Sequence, residues 1–183
     1  DRVVYNGTTW EKWDTNDAVT SVHGRTGAVT AQAGDYAEHY TSKKPQCEWR
    51  ADTHAGYGST DTKIPYFSNV RKNVDTAGAM TVVNNSTNGC EITINIADYY
   101  TVSYNFSPSS ASYIGISLNS AALTTGIDAI SVANRLALSY VPATHTDQIC
   151  VRVWLAVNDV IRPHTGTVSA DTAAFSNFSI TRG

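Results

Sequence analysis

The residues able to do acid-base or metal chemistry are sixteen carboxylates and five histidines, His23, His39, His54, His145 and His164. Two pairs, His145 with Asp147 and His164 with Asp171, could bind a metal or move protons if their loops converge. No histidine pair has the H-E-x-x-H spacing, and no serine lies in a G-x-S-x-G elbow. Polar turns are therefore the simpler interpretation. The sequence predicts no enzyme activity, no metal site and no cofactor.

The ten tyrosines point to binding rather than catalysis. Several of them, including Tyr99, Tyr113 and Tyr140, fall near predicted strand ends among Asn, Asp and Ser. Carbohydrate- and protein-recognition surfaces use this combination, because an aromatic face covers apolar area while short polar groups fix orientation. The alternative is that these tyrosines are half-buried residues at the rim of a small β-domain.

Composition favours a β-protein with a weakly charged surface. The chain has 183 residues, of which 42% are hydrophobic, so it can form a sizeable core. Only 16% are charged, and the net charge of −3 argues against a basic nucleic-acid-binding face. Cys47, Cys90 and Cys150 are odd in number and widely spaced, which indicates small buried hydrophobes rather than a disulfide framework or a zinc cluster.

From Ile64 onward, short alternating segments are separated by turn signals. We predict nine strands, at 64–68, 80–84, 90–96, 99–106, 112–119, 134–141, 149–157, 159–164 and 175–181. The sequence contains no helical crossovers, so the strands must pair antiparallel in a sandwich or barrel, most simply a jelly roll. The clearest pair, 90–96 and 99–106, is predicted to form a hairpin across Ala97-Asp98.

The N-terminal part cannot enclose a core of its own. Residues 1–13 predict a hairpin turning at Asn6-Gly7. Residues 18–36 carry spaced valines with few other large apolar side chains, which predicts an extended segment ordered by winding around sister chains. Residues 37–50 are predicted as a linker or short helical turn, and 52–63 as a polar loop.

Two stretches in this N-terminal part carry a family resemblance. SVHGRTGAVTAQAGDY resembles the S-V-N-G-[KR]-T-G-x-V element of bacteriophage tail-fibre and baseplate proteins, with His23 where Asn is usual. YNGTTWEKWD resembles the segment that often precedes that element. The resemblance implies a thin trimeric stalk, and its interface candidates are Trp10, Trp13, Val19, Val22 and Val29.

Residues 64–183 resemble the trimeric jelly-roll heads of the C1q and tumour-necrosis-factor type. IADYYTVSYNF is similar to the G-x-Y-x-[FIV]-S strand of those heads, with Asp98 in place of Gly. ICVRVWLAVNDVIRPHT is similar to their L-x-x-G-D-x-[VI] strand pair, with Asn158 in place of Gly, and FSNFSITRG to their final F-x-[GN]-F strand. We therefore predict an all-β homotrimer with a stalk at 1–50 and a jelly-roll head at 51–183.

These resemblances imply a non-catalytic adhesin at the distal end of a phage tail fibre on the virion, bound to a bacterial glycan or outer-membrane component. One alternative is a trimerisation and folding cap whose receptor contacts lie elsewhere, and another is a C1q-like or lectin-like protein outside phages. A depolymerase or lyase is the enzyme alternative, but such fibres usually carry a repetitive β-helix, and no repeat is visible in the sequence.

Trp154 alternates with the core-facing residues of its strand and is predicted to lie between subunits.

Antiparallel alternation also predicts where a receptor binds. If strand 175–181 runs toward the base and each preceding strand runs in the opposite direction, loops 107–112, 142–148 and 165–174 lie together at the free tip of the head. Loops 97–98, 120–133 and 158 are then placed at the base. The candidate receptor-binding residues are Ser109, Ser110, Tyr113, Thr144, His145, Asp147, His164, Thr165 and Asp171.

Overall fold

The computed structural model describes residues 2–13, 46–59, 62–167 and 175–183. The chain divides into two compact units, Asp1–Lys44 and Pro45–Gly183. The boundary predicted between residues 50 and 51 falls inside the first strand of the second unit. The stalk candidates Val19, Val22 and Val29 lie outside the described residues, and so does the candidate receptor residue Asp171. No helix in the described part is long and apolar enough to cross a membrane.

The first unit contains the hairpin predicted from Asn6-Gly7. Strand β1 (Arg2–Tyr5) pairs antiparallel with β2 (Trp10–Trp13). The Asn6 carboxamide oxygen accepts hydrogen bonds from the backbone N–H groups of Thr8 and Thr9, both at 2.9 Å, and Gly7 has the positive φ (98°) that the turn requires. The Trp10 side chain is 71% exposed, so the hairpin leaves it available for a partner surface.

The second unit is a sandwich of two five-stranded antiparallel sheets. Its strands are β3 (Cys47–Tyr57), β4 (Pro65–Asp75), β5 (Met80–Asn85), β6 (Gly89–Ile94), β7 (Asp98–Phe106), β8 (Ser112–Leu118), β9 (Arg135–Val141), β10 (Asp147–Leu155), β11 (Val160–Thr165) and β12 (Asn177–Arg182). The first sheet has the order β10-β7-β12-β3-β4 and the second β5-β6-β11-β8-β9. A 3₁₀ turn at Val132–Asn134 precedes β9.

The core lies between the two sheets and follows the predicted alternation. Tyr100, Val102, Tyr104 and Phe106 of β7 are fully buried, and they face the isoleucines of β6 and β8. Phe178 of β12 packs at the centre of an aromatic group. Burying these side chains away from water is the main stabilising contribution to such a fold.

The predicted hairpin between 90–96 and 99–106 is wrong. Strand β6 pairs with β5 and β11 in the second sheet, whereas β7 pairs with β10 and β12 in the first. The short link between them crosses from one sheet to the other. Both strands alternate because both bury one face in the same core, and alternation by itself does not identify the pairing partner.

Strand β3 is a second correction, because residues 37–50 and 52–63 were predicted as a linker and a loop. Cys47, Trp49 and Ala51 are buried in alternation with Glu48 and Arg50. The register with β4 then shifts twice, after position 50 and after position 54, and these bulges interrupt the alternation. The period-2 signal is therefore too short to detect in the sequence.

Candidate functional site

Two loops, 107–111 and 142–146, and the first residues after β11 meet at one end of the sandwich, as antiparallel alternation predicted. The rest of the predicted loop 165–174 lies outside the described residues. We define the base as the end where β3 begins and the tip as the opposite end. At the tip, the Thr144 N–H donates to the Pro108 carbonyl at 2.8 Å, which joins loop 107–111 to loop 142–146. The Gly166 N–H donates to the Tyr113 carbonyl at 2.7 Å, which joins the segment after β11 to the start of β8. The tip is thus a fixed surface built from separate parts of the chain.

Four candidate receptor residues, Ser109, Ser110, Thr144 and His145, are exposed at the tip. The His145 ring approaches the Ala143 carbonyl through Nδ1 at 2.9 Å. Because a carbonyl only accepts, Nδ1 carries a proton and donates this hydrogen bond, while Nε2 is left free for a ligand. Thr144 has a φ of 63°, which is strained for a β-branched residue. These groups can exchange hydrogen bonds with a polar ligand.

Asp147 has a structural role at the junction of the two sheets. One of its carboxylate oxygens accepts a hydrogen bond from the Ser139 hydroxyl on β9, and the other accepts the Gln148 N–H at 2.8 Å. Strands β9 and β10 are edge strands of different sheets, so the Ser139–Asp147 bond links the sheets at the tip. Asp147 is partly buried there and presents only part of its carboxylate to a ligand.

His164 and Thr165 require a correction, because both are fully buried and do not contribute to a receptor surface. The His164 Nε2–H donates to the Thr125 carbonyl at 2.8 Å, and the Thr165 hydroxyl donates to the Lys63 carbonyl at 3.1 Å. Burial lowers the pKa of His164 to about 4, so this ring is neutral at physiological pH. Residues adjacent to a turn are usually exposed, but here another segment covers His164, and Thr165 lies on the core-facing side of β11 opposite Ile114.

The covering segment is residues 119–131, which we call the covering loop. It starts at the base, where the Asn119 N–H donates to the Val160 carbonyl at 2.8 Å. It then crosses the outer face of the second sheet toward the tip, where the Ile127 N–H donates to the Thr165 carbonyl at 3.1 Å. The prediction that 120–133 is a basal loop is therefore wrong for its central part, and Asp128 lies beside the tip.

Four exposed aromatic side chains form two separate pairs on the second unit. On the outer face of the second sheet near the tip, Tyr113 and Tyr140 lie opposite each other with ring centroids 5.3 Å apart. On the outer face of the first sheet near the base, Trp154 lies edge-on to Tyr99 at 5.3 Å, and the Arg152 guanidinium lies 5.5 Å from the Tyr99 ring centroid. Trp154 is 55% exposed in the single chain, so its predicted place between subunits stays a prediction.

The described part of the chain contains no group of three or more His, Cys, Asp or Glu side chains arranged to hold a metal ion. The exposed polar groups of loops 107–111 and 142–146 are hydroxyls and one imidazole, and the Tyr113 and Tyr140 rings lie nearby. This chemistry suits reversible hydrogen bonding and stacking on a ligand.

Comparisons with known proteins identify the fold. No family model matches the chain, and no curated protein matches its sequence. The crystal structure of pika GITRL superimposes with a TM-score of 0.52 at 8% identity, covering 76% of this chain and 96% of that one. Murine APRIL at pH 8.0 superimposes with a TM-score of 0.53 at 7% identity, covering 75% of this chain and 99% of that one. The predicted all-β jelly roll of the tumour-necrosis-factor type is confirmed.

Proposed function

We propose that the chain is the terminal region of a bacteriophage tail fibre or related receptor-binding protein, placed at the distal end of the fibre on the virion. It adheres to the bacterial surface and catalyses no reaction. The observation that carries the proposal is the meeting of two polar loops and the segment after β11 at one end of the jelly roll. The resemblance of residues 5–36 to tail-fibre segments adds the phage context.

The proposal includes a homotrimer, because the chain exposes apolar surface that a partner would cover. Val3, Tyr5 and Trp10 in the first unit are each more than half exposed, and so is Trp154 in the second. Three identical tips on one particle would bind a multivalent bacterial surface with an avidity about 10²–10⁴ times the single-site affinity. Weak contacts at each tip are then sufficient for adhesion.

Replacing Trp154 with Ala is expected to weaken the trimer. Burying an indole against a sister chain contributes about 2–4 kcal/mol in upper-bound area terms, and three copies would be lost at once. Light scattering should report a trimer for the unmodified chain at micromolar concentration and a lower mean mass for Trp154→Ala.

Val132→Ala is the matched control for Trp154→Ala. Val132 is 74% exposed on the 3₁₀ turn, outside the predicted interface, and its replacement should leave the mass unchanged. A monomer mass for the unmodified chain would refute the trimer and its avidity. An unchanged trimer with an unchanged thermal midpoint in Trp154→Ala would move the interface elsewhere.

Adhesion predicts that the purified chain competes with phage for the host surface. Preincubating host cells with the chain should reduce adsorption of the phage that encodes it, and His145→Ala at the tip should block less well. Val132→Ala at the base should block as well as the unmodified chain. Asp128, once expected to be basal, is unsuitable as a control because it lies beside the tip.

The alternatives give different results in this assay. A trimerisation cap whose receptor contacts lie elsewhere would form a trimer and leave adsorption unchanged. A C1q-like or lectin-like protein outside phages would lie among genes that encode no virion parts. Full blocking by His145→Ala together with weak blocking by Val132→Ala would place the receptor site toward the base.

A further inference from the structure

Strand β9 packs Leu136 and Val141 against the core, but two other large apolar side chains of this strand face away from it. Ala137 and Ser139 lie opposite the buried Ile116 and Ile114 of β8, so they face the core. Leu138 and Tyr140 lie on the other face and are 40% and 56% exposed. Burial within the chain does not account for these two exposed side chains. An exposed apolar face of this kind marks an interaction surface.

Tyr140 shares this outer face with Tyr113, which is 36% exposed. The two rings meet at an interplanar angle of 64°. Beside Leu138, the facing residue of β8 is Gly115, and the covering loop packs Ile127 against that glycine. The rings are therefore bordered by a fixed wall on one side and by the tip loops on the other.

The covering loop brings a carboxylate to this aromatic pair. A methyl group at Gly166 would lie 3.2 Å from both Asp128 Oδ1 and Tyr113 Cβ, so the Asp128 carboxylate and Tyr113 both lie next to this glycine. Asp128 is exposed, and none of the three ion pairs formed among the described residues involves it. Its oxygens can accept hydrogen bonds from a ligand.

We propose that Tyr113, Tyr140 and Asp128 form a binding platform for a neutral pyranose of a surface glycan. The C–H face of the sugar ring packs on the Tyr140 ring, while adjacent hydroxyls donate to the Asp128 carboxylate. A carboxylate beside the rings repels acidic sugars, which is why the ligand is neutral. This inference rests on the proposed function and names the ligand class. It places the site on the flank just below the tip loops.

Saturation-transfer NMR tests the platform directly, with the full chain and the methyl glycosides of glucose, galactose, mannose and N-acetylglucosamine at millimolar concentration. At least one glycoside should receive saturation at its ring C–H protons. Tyr140→Ala and Asp128→Asn should each reduce that signal at least about tenfold, as expected from losing a stacking or charged hydrogen-bonding contact worth ~1.4 kcal/mol or more. Tyr140→Phe, which keeps the ring, should retain the signal.

Tyr99→Ala is the matched control, because Tyr99 is 49% exposed and also belongs to an aromatic pair, on the other sheet. It should leave the signal unchanged. The platform is refuted if no glycoside receives saturation, if the signal survives in Tyr140→Ala, or if Tyr99→Ala removes it equally.

The platform and the adhesin role fail in distinguishable ways. Glycoside binding that depends on Tyr140, from a chain that does not block adsorption, would refute the adhesin role and support the platform. Blocking that is equally strong in Tyr140→Ala would refute the platform and support the adhesin role.

Discussion

Acidification from about pH 6.5 to pH 4 is expected to lower the free energy of unfolding by roughly 3 kcal/mol through His164 alone. Burial lowers the pKa of His164 from its ordinary value of 6.5 to about 4. Between these two values the unfolded chain binds a proton that the folded chain does not bind. Stability is therefore complete above pH 6.5, falls as the pH decreases, and levels off below about pH 4.

The groups around His164 explain why it resists protonation. Its Nε2–H donates to the Thr125 carbonyl of the covering loop, and its Nδ1 is buried without a hydrogen-bond partner among the described residues. Arg162 on the same strand lowers the pKa further, while Asp128 on the covering loop opposes it. A charged ring would need an acceptor at Nδ1, and the least disruptive way to reach water is to displace the covering loop. Acid should therefore loosen the segment that carries Asp128.

Urea unfolding between about pH 7 and pH 4 measures this dependence. His164→Gln keeps a donor for the Thr125 carbonyl but cannot titrate. The free energy of unfolding of this variant should therefore lack the His164 contribution to the pH dependence. His145→Ala is the matched replacement of an exposed histidine that leaves His164 in place, and it should retain the His164 contribution. Burial also lowers the pKa of His54, which adds a dependence of the same sign to all of these proteins. An NMR titration of the His164 ring with a midpoint near pH 6.5 would contradict the prediction.

Replacing Phe178 with Ala is expected to lower the free energy of unfolding by about 3–5 kcal/mol, through lost burial and the cavity left behind. Phe178 is fully buried between Tyr104, at 6.0 Å between ring centroids, and Trp49, at 6.3 Å. Phe67 of β4 stacks on it at 6.5 Å. One ring therefore joins strands β3, β4, β7 and β12 of the first sheet.

Phe175 provides the matched control for this substitution. It is the same residue type three positions earlier in the chain and is 59% exposed. Phe175→Ala should cost less than about 0.5 kcal/mol in urea unfolding. Equal losses in the two variants would show that position 178 is not the centre of the core.

The sequence by itself determined the local features whose signals are short-range. Asn6-Gly7 predicted a turn because a hairpin needs positive φ there, and Gly7 adopts it. Alternation over 99–106 predicted the buried face of β7, because successive side chains point to opposite faces of a sheet. The same reasoning placed loops 107–112 and 142–148 together, because antiparallel strands return to the same end. The jelly roll followed from strand spacing and from resemblance.

Only the tertiary structure decided which strands pair and which surfaces stay exposed. Strands β6 and β7 have the same pattern and adjoin in sequence, yet they belong to opposite sheets that share one core. The route of the covering loop depends on Ile127 packing against Gly115, where the missing side chain leaves room for it. A single contact of this kind produces no periodic pattern in the sequence. The same loop covers His164 and places Asp128 next to Gly166, close to Tyr113. Periodicity shows which face of a strand is apolar and which is polar. Which element packs on that face depends on packing across the whole chain.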